Sequence, residues 1–135
     1  SAEALDTARE NCRALGAQVR LIHSDLFERI EGSYDMIVSN PPYIRRGVIE
    51  GLQEEVRFHD PYIALDGHED GLYFYRRIAD EAGRHLKRGG WVLLEVGHDQ
   101  SKDVSRLLAE AGFTCIQGKK DLAGLDRVVM GMYNK

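Results

Sequence analysis

The residues of this 135-residue chain whose types and spacing suit chemistry are Asn40, Pro41, Pro42 and Tyr43. They follow Tyr34-Asp35-Met36-Ile37-Val38, a run that predicts a buried strand. Two prolines in a row remove two backbone donors and fix two φ angles. The residue before each proline is driven out of the helical region as well. Asn40 and Pro41 are therefore expected to be extended at the carboxyl end of a strand, where open α/β sheets hold their ligands. The Asn40 carboxamide offers an acceptor and two donors. The Pro41 carbonyl cannot serve a helix that starts there and is free to accept. Together they form a rigid fork of acceptors suited to a planar –NH2 group, as in a glutamine side chain or an adenine. Tyr43 adds a ring on which a flat, partly polar substrate packs. The competing reading is a stiff strand-to-loop turn with no chemistry.

Other side chains carry weaker signals. Asp25 and Leu26 form a turn at the end of a short β-type run, residues 19–23, and a turn or N-cap aspartate explains Asp25 equally simply. Glu95 ends an apolar run and reads either as a site residue or as a solvated strand end. The five histidines show no metal spacing, and Asp66, Glu69 and Asp70 lack the pattern of a calcium loop, so no metal is expected. Cys12 and Cys115 lie far apart in apolar patterns and read as reduced core cysteines.

These groups must be positioned by elements legible from periodicity. Ser1 caps a helix whose apolar face is Leu5, Ala8, Cys12 and Leu15, with Gly16 as its C-cap. Strands follow at 19–23 and 34–39. Residues 44–57 are irregular apart from one helical turn near 49–52, and 58–69 reads as a loop, either a lid or a plain surface connection. A helix from 71 or 72 to 86, with Asp70 as its cap, stops at Gly89-Gly90. A strand at 91–96, a helix at 101–111 and strands at 113–117 and 127–133 complete the chain. Strands alternating with helices predict an α/β domain with a mostly parallel sheet. The helix-free link between the last two strands predicts an antiparallel hairpin at one edge.

Composition bounds the partners. With 43% hydrophobic and 30% charged residues this is an ordinary globular composition. No apolar run reaches the ~20 residues of a membrane span, and there is no signal-peptide pattern. The formal net charge of −4 argues against a broad nucleic-acid footprint. Cytoplasmic location follows as the default. The chain opens on Ser1 rather than Met, at the start of a helix, which points to a fragment or a processed chain.

Asn40-Pro41-Pro42-Tyr43 resembles the signature of S-adenosylmethionine-dependent amino-methyltransferases. The tetrapeptide alone does not separate glutamine from adenine methylation. An ordered series does better: Asp60-Pro61, Ala64-Leu65, Asp70-Gly71-Leu72, Tyr75-Arg76, Gly89-Gly90, Leu94-Glu95, Gly97, Gln100, Gly112-Phe113, Lys120-Asp121 and Asp126-Arg127-Val128. It is similar to the HemK/PrmC family, the N5-glutamine methyltransferases of peptide chain release factors. Departures are Asp60 for the usual Glu, Tyr62 where a basic residue is common, and His68 where a second glycine is frequent.

The resemblance implies a partial class I S-adenosylmethionine-dependent methyltransferase (Rossmann-like) sheet. On it, residues 1–135 are the C-terminal portion of the catalytic domain, lacking the first two strands and the Gly-rich cofactor loop. It implies that Asn40, Pro41, Pro42 and Tyr43 orient the substrate amide. The sulfonium methyl is already activated, so geometry is most of what the protein adds. It places Asp25, Leu26 and Asn40 on the cofactor side, with Asp25 accepting from the adenine amine and Leu26 packing on the ring. The implied partner is a release factor carrying a Gly-Gly-Gln loop, with no metal, membrane or direct nucleic-acid contact. Cofactor binding by the chain alone is expected to be weak or absent. The rivals are a nucleic-acid amino-methyltransferase acting on adenine N6 or guanine N2, and a non-catalytic fragment that self-associates through unpaired sheet edges.

Overall fold

The computed structural model describes residues 1–49, 51 and 61–135. The chain divides into two compact units, Ser1–Gly32 and Ser33–Lys135.

The first unit is built on helix α1 (Ala2–Leu15). The Ser1 hydroxyl accepts from the Ala4 N–H at 3.1 Å, and Gly16 closes the helix at φ 61°, the left-handed cap that glycine adopts without a Cβ penalty. The predicted face is only half-covered at Leu5, Ala8 and Cys12, and Leu15 is 80% exposed. The strand expected at 19–23 does not form. β-propensity marks residues that fit a pleated surface. A ladder also needs a neighbour for its N–H and C=O groups, and among the described residues this segment has no strand partner.

The second unit holds β1 (Tyr34–Ser39), the short helices α2 (Arg46–Ile49) and α3 (Tyr62–Leu65), α4 (Tyr73–Ala82), β2 (Leu86–Glu95), α5 (Ser101–Glu110), β3 (Thr114–Lys120) and β4 (Asp126–Met132). Its sheet order is β1-β2-β4-β3. Only β1 and β2 pair in parallel; β2–β4 and β4–β3 are antiparallel. The expectation of a mostly parallel sheet is thus overturned. The reason lies in the connections. The α5 crossover returns the chain so that β3 runs the same way as β2, as a β-α-β unit must. The two strands are left one place apart, and β4, reversing through the tight turn after Asp121, fills the slot antiparallel to both. The antiparallel hairpin expected at one edge does form there, with β3 outermost and β4 beside β2.

The core sits between this sheet and α4 and α5. Val92, Leu94 and Val96 alternate along one face, α5 contributes Val104 and Leu108, and α4 contributes Tyr75, Ile78, Ala79 and Ala82; all are at most 4% exposed. Burying each of the large apolar side chains stabilises the unit by about 1.5–3 kcal/mol. Helix α4 stops at Ala82, short of the expected 86, and passes through a 3-10 turn, Gly83–His85, into β2. Gly89-Gly90 therefore does not end a helix. It makes a bend inside β2, where the register with β1 jumps and Gly89 takes φ 80°.

Two further expectations are corrected. Both cysteines are free, but neither is in the core. Cys12 is half-buried, and Cys115 is turned to solvent at φ 51° in a register break of β3. The described part of the predicted loop 58–69 is not plain loop: it contains α3, and Asp66 bridges Ile44. Glu50 and Leu52 of the predicted turn at 49–52, and Asp60, lie outside the described residues.

Candidate active site

Asn40 leaves β1 at its carboxyl end. The parallel register sets Ser39 opposite Leu94, so Asn40 and Glu95 emerge from neighbouring strands at the same edge. The Asn40 side chain is exposed, whereas Pro41 is buried and Pro42 half-buried. Neither the Asn40 carboxamide nor the Pro41 carbonyl is engaged in a hydrogen bond among the described residues. The prolines thus fill the gap under the turn and leave two oxygen acceptors unused.

Tyr43 is anchored at both ends. Its hydroxyl donates to Glu95 Oε1 at 3.2 Å. Its carbonyl accepts from Gln100 Nε2 at 3.0 Å. Burial raises the Tyr43 phenol above its usual range, and the Glu95 carboxylate raises it further, against the pull of Arg127. The ring therefore acts as a neutral donor and not as a base. Tyr75, raised mainly by burial, donates to the Glu95 carbonyl at 2.7 Å and ties α4 to the end of β2. Arg127 on β4 is held by Asp121 at 3.1 Å, and Asp121 also accepts from the Ala123 and Leu125 N–H groups at 2.9 and 3.0 Å.

The chain beyond Tyr43 is pinned as well. The Ile44 N–H donates to the Leu65 carbonyl at 3.0 Å, Gly67 N–H to Ile44 carbonyl at 2.8 Å, and Arg46 N–H to His68 carbonyl at 2.9 Å. Arg46 grips Asp66 Oδ2 through Nε and Nη2 at 3.1 and 2.8 Å, and holds its carboxyl below the usual range. A Cβ at Gly67 would lie 2.8 Å from Tyr43 backbone carbon, so that close approach requires glycine. His68, where the resembled family often has glycine, takes φ 66°. A cleft of about 300 Å³ opens beside Tyr43, walled by Ile44, Val48, His98 and Asp99, and Asn40 is not among its walls.

Asp25 and Leu26 lie in the first unit. Asp25 is exposed, and Leu26 is half-buried at φ 48°. An acid that accepts from an exocyclic amine, beside an apolar side chain that packs on a ring, is the pair that an adenine needs. The cleft there, lined by His23, Ser24, Asp25, Glu28 and Arg29, is about 90 Å³. Small-molecule pockets run from roughly 300 Å³ upward. The first unit alone does not fit around an adenosyl group.

Residues 1–55 match the family model described as "Methyltransferase small domain". The release factor glutamine methyltransferase of Agrobacterium fabrum is 50% identical over 131 residues, which cover 96% of this chain and 45% of that protein. That of Neisseria gonorrhoeae is 46% identical over 138 residues, covering 100% of this chain and 50% of that protein. Over nearly all of its length the chain is similar to release factor glutamine methyltransferases. It spans about half the length of the curated relatives it matches. In fold it superposes on a methyltransferase from Pyrococcus furiosus with a TM-score of 0.72 at 19% identity, over 100% of this chain and 60% of that one. The S-adenosylmethionine-dependent methyltransferase SibL gives a TM-score of 0.62 at 17% identity, over 98% and 41%. The fold is accordingly a partial class I S-adenosylmethionine-dependent methyltransferase fold.

Sequence reasoning left Glu95 undecided and passed over the contacts of Gln100 and Arg127. Their signal was position: a carboxylate ending an apolar strand, and polar side chains flanking glycine turns at the same edge. No group of metal-ligating side chains occurs among the described residues, and none of their helices is long and apolar enough to cross a membrane.

Proposed function

We propose that this chain supplies the substrate-gripping part of an S-adenosylmethionine-dependent protein-(glutamine-N5) methyltransferase. Its substrate on this reading is the glutamine of a Gly-Gly-Gln loop in a peptide chain release factor, encountered in the cytoplasm. The supporting observation is the pair of unengaged acceptors at Asn40 and Pro41, held on a turn whose prolines are covered and whose Tyr43 is fixed at both ends. Similarity to release factor glutamine methyltransferases supports glutamine over adenine as the amine.

Asn40 Oδ1 and the Pro41 carbonyl accept one hydrogen bond each from the two amide protons of the substrate. The nitrogen is thereby aimed, and its lone pair is drawn less into the amide carbonyl. Bound S-adenosylmethionine would supply an activated methyl group. The aimed amide nitrogen would accept that methyl group and give up one proton to solvent. Tyr43 packs beside the amide, and its raised phenol keeps the edge neutral. Asp25 and Leu26 would form one wall of the adenine site.

The test is mass spectrometry of a release factor and of double-stranded DNA after incubation with the natural full-length polypeptide and S-adenosylmethionine. One added methyl on the Gly-Gly-Gln glutamine is expected, with a rate lowered about 100-fold or more in Asn40→Ala. Methylation of DNA and not of release factor would overturn the reading.

A further inference from the structure

We infer that Gln100 is a positioning residue for methyl transfer, a three-way clamp that fixes the turn carrying Asn40. The inference rests on the reading of that turn as the amide grip. Gln100 is 3% exposed, the one buried polar side chain among the described residues. Its Oε1 accepts from the Gly97 N–H at 3.0 Å. Its Nε2 donates to the Tyr43 carbonyl at 3.0 Å and to the Gly71 carbonyl at 3.2 Å. Both donors of the amide are used, and each partner belongs to a different segment: the turn after β1, the entrance to α4 and the exit from β2.

The clamp has a firm base. The Gln100 N–H donates to the Gly97 carbonyl at 2.9 Å, and the Gln100 carbonyl accepts from Val104 at 3.0 Å, the first turn of α5. Val104 and Leu108 then bury α5 against the sheet. The clamp is also fitted. A Cβ at Gly97 would lie 2.9 Å from Gln100 Oε1, and one at Gly71 would lie 2.6 Å from Nε2 and 2.5 Å from the Tyr43 oxygen. Two glycines leave room for one carboxamide.

A leucine or methionine would fill the same volume but pair with nothing. The one N–H and two C=O groups would then be buried without partners. What singles out an effect on catalysis is where the pull is applied. The Tyr43 carbonyl lies two residues beyond the Pro41 carbonyl. β1 fixes the other end of the turn through its ladder to β2. Released at Tyr43, the two acceptors lose their spacing, and a misplacement of about 1 Å in a positioned group costs on the order of 100-fold in rate. Substrate docking elsewhere on the release factor is untouched, so the loss falls on kcat and not on KM.

Gln100→Met and Gln100→Glu in the full-length enzyme test this, assayed well below their melting temperatures on release factor. In Gln100→Met, kcat should fall about 10- to 100-fold at every pH, with KM for release factor within about twofold of wild type. Gln100→Glu adds a signature that a loss of packing would not show. Its carboxylate faces two carbonyl oxygens and repels them; its protonated form donates to one and still accepts from Gly97. Burial and those oxygens raise its pKa. Its kcat relative to wild type should therefore rise by up to about tenfold per pH unit as pH falls toward that pKa. Wild-type kcat in both variants, or a Glu variant whose relative kcat is flat with pH, overturns the clamp alone. A wild-type enzyme that methylates no release factor overturns the proposed function together with the clamp.

Discussion

Replacing Gly71 by alanine loads the same clamp from its other side, and its cost can be worked from two distances and an angle. Gly71 sits at φ 74°, where a Cβ costs about 1–2 kcal/mol. The new Cβ would stand 2.5 Å from the Tyr43 oxygen and 2.6 Å from Gln100 Nε2, well inside ordinary contact. Relieving that overlap costs about 1–3 kcal/mol. Displacing Gln100 forfeits its two donor hydrogen bonds at about 1 kcal/mol each. Gly124 is the matched control. It takes φ 82° in the β3–β4 turn, and nothing lies within 4 Å of its added Cβ. The backbone cost and the gain from stiffening the unfolded chain are common to both variants and cancel. The difference, about 3–5 kcal/mol, belongs to the clamp. Trp91, the single tryptophan, lies in β2 and reports on the sheet by fluorescence. At a urea slope of about 2 kcal/mol per molar, Gly71→Ala should unfold about 1.5–2.5 M earlier than Gly124→Ala. Coincident midpoints would refute the reasoning.

Isothermal titration of the 135-residue chain with S-adenosylmethionine should show no low-micromolar binding, since the cleft at Asp25 holds about 90 Å³; such binding would overturn the expectation. Asp70 is held from its ordinary 3.8 to about 2, first by Arg76 and then by the Leu72 N–H. Because the folded value is depressed, its stabilisation is present above pH 4 and lost as pH falls toward 2. Asp70→Asn should therefore cost less than about 1 kcal/mol at pH 7, the pair being half-exposed. The cost should shrink as pH falls from 4 to 2; a penalty constant across that window would contradict the assignment. Cys115 should react with Ellman's reagent in the folded protein faster than Cys12, and a folded protein in which neither thiol reacts would contradict their exposure.

How much could be read in advance depended on whether the deciding physics was local. The strand Tyr34–Ser39 and the turn at Asn40 were legible because proline stereochemistry acts on neighbouring residues, but the expected burial of the strand is overturned, Met36 and Val38 being exposed. The ends of α1 were legible through Ser1 and Gly16 for the same reason. Strand neighbours were not. The strand expected at 127–133 says that the segment pairs, not that it slips between β2 and β3. Residues 19–23 have strand composition and no strand, because pairing is a property of two segments. Gln100 was quoted in the family series, yet the three backbone groups it joins come from positions 43, 71 and 97, a convergence that no window of sequence contains.

The place of β4 has a consequence for how the chain is made. Of the four strands among the described residues it is the latest to be synthesised, yet it lies in the interior, between β2 and β3. Until it is available β3 has no partner, and Arg127 cannot reach Asp121. A nascent chain that ends before residue 126 would therefore leave β3 without its ladder partner, an unpaired edge open to chaperones and proteases.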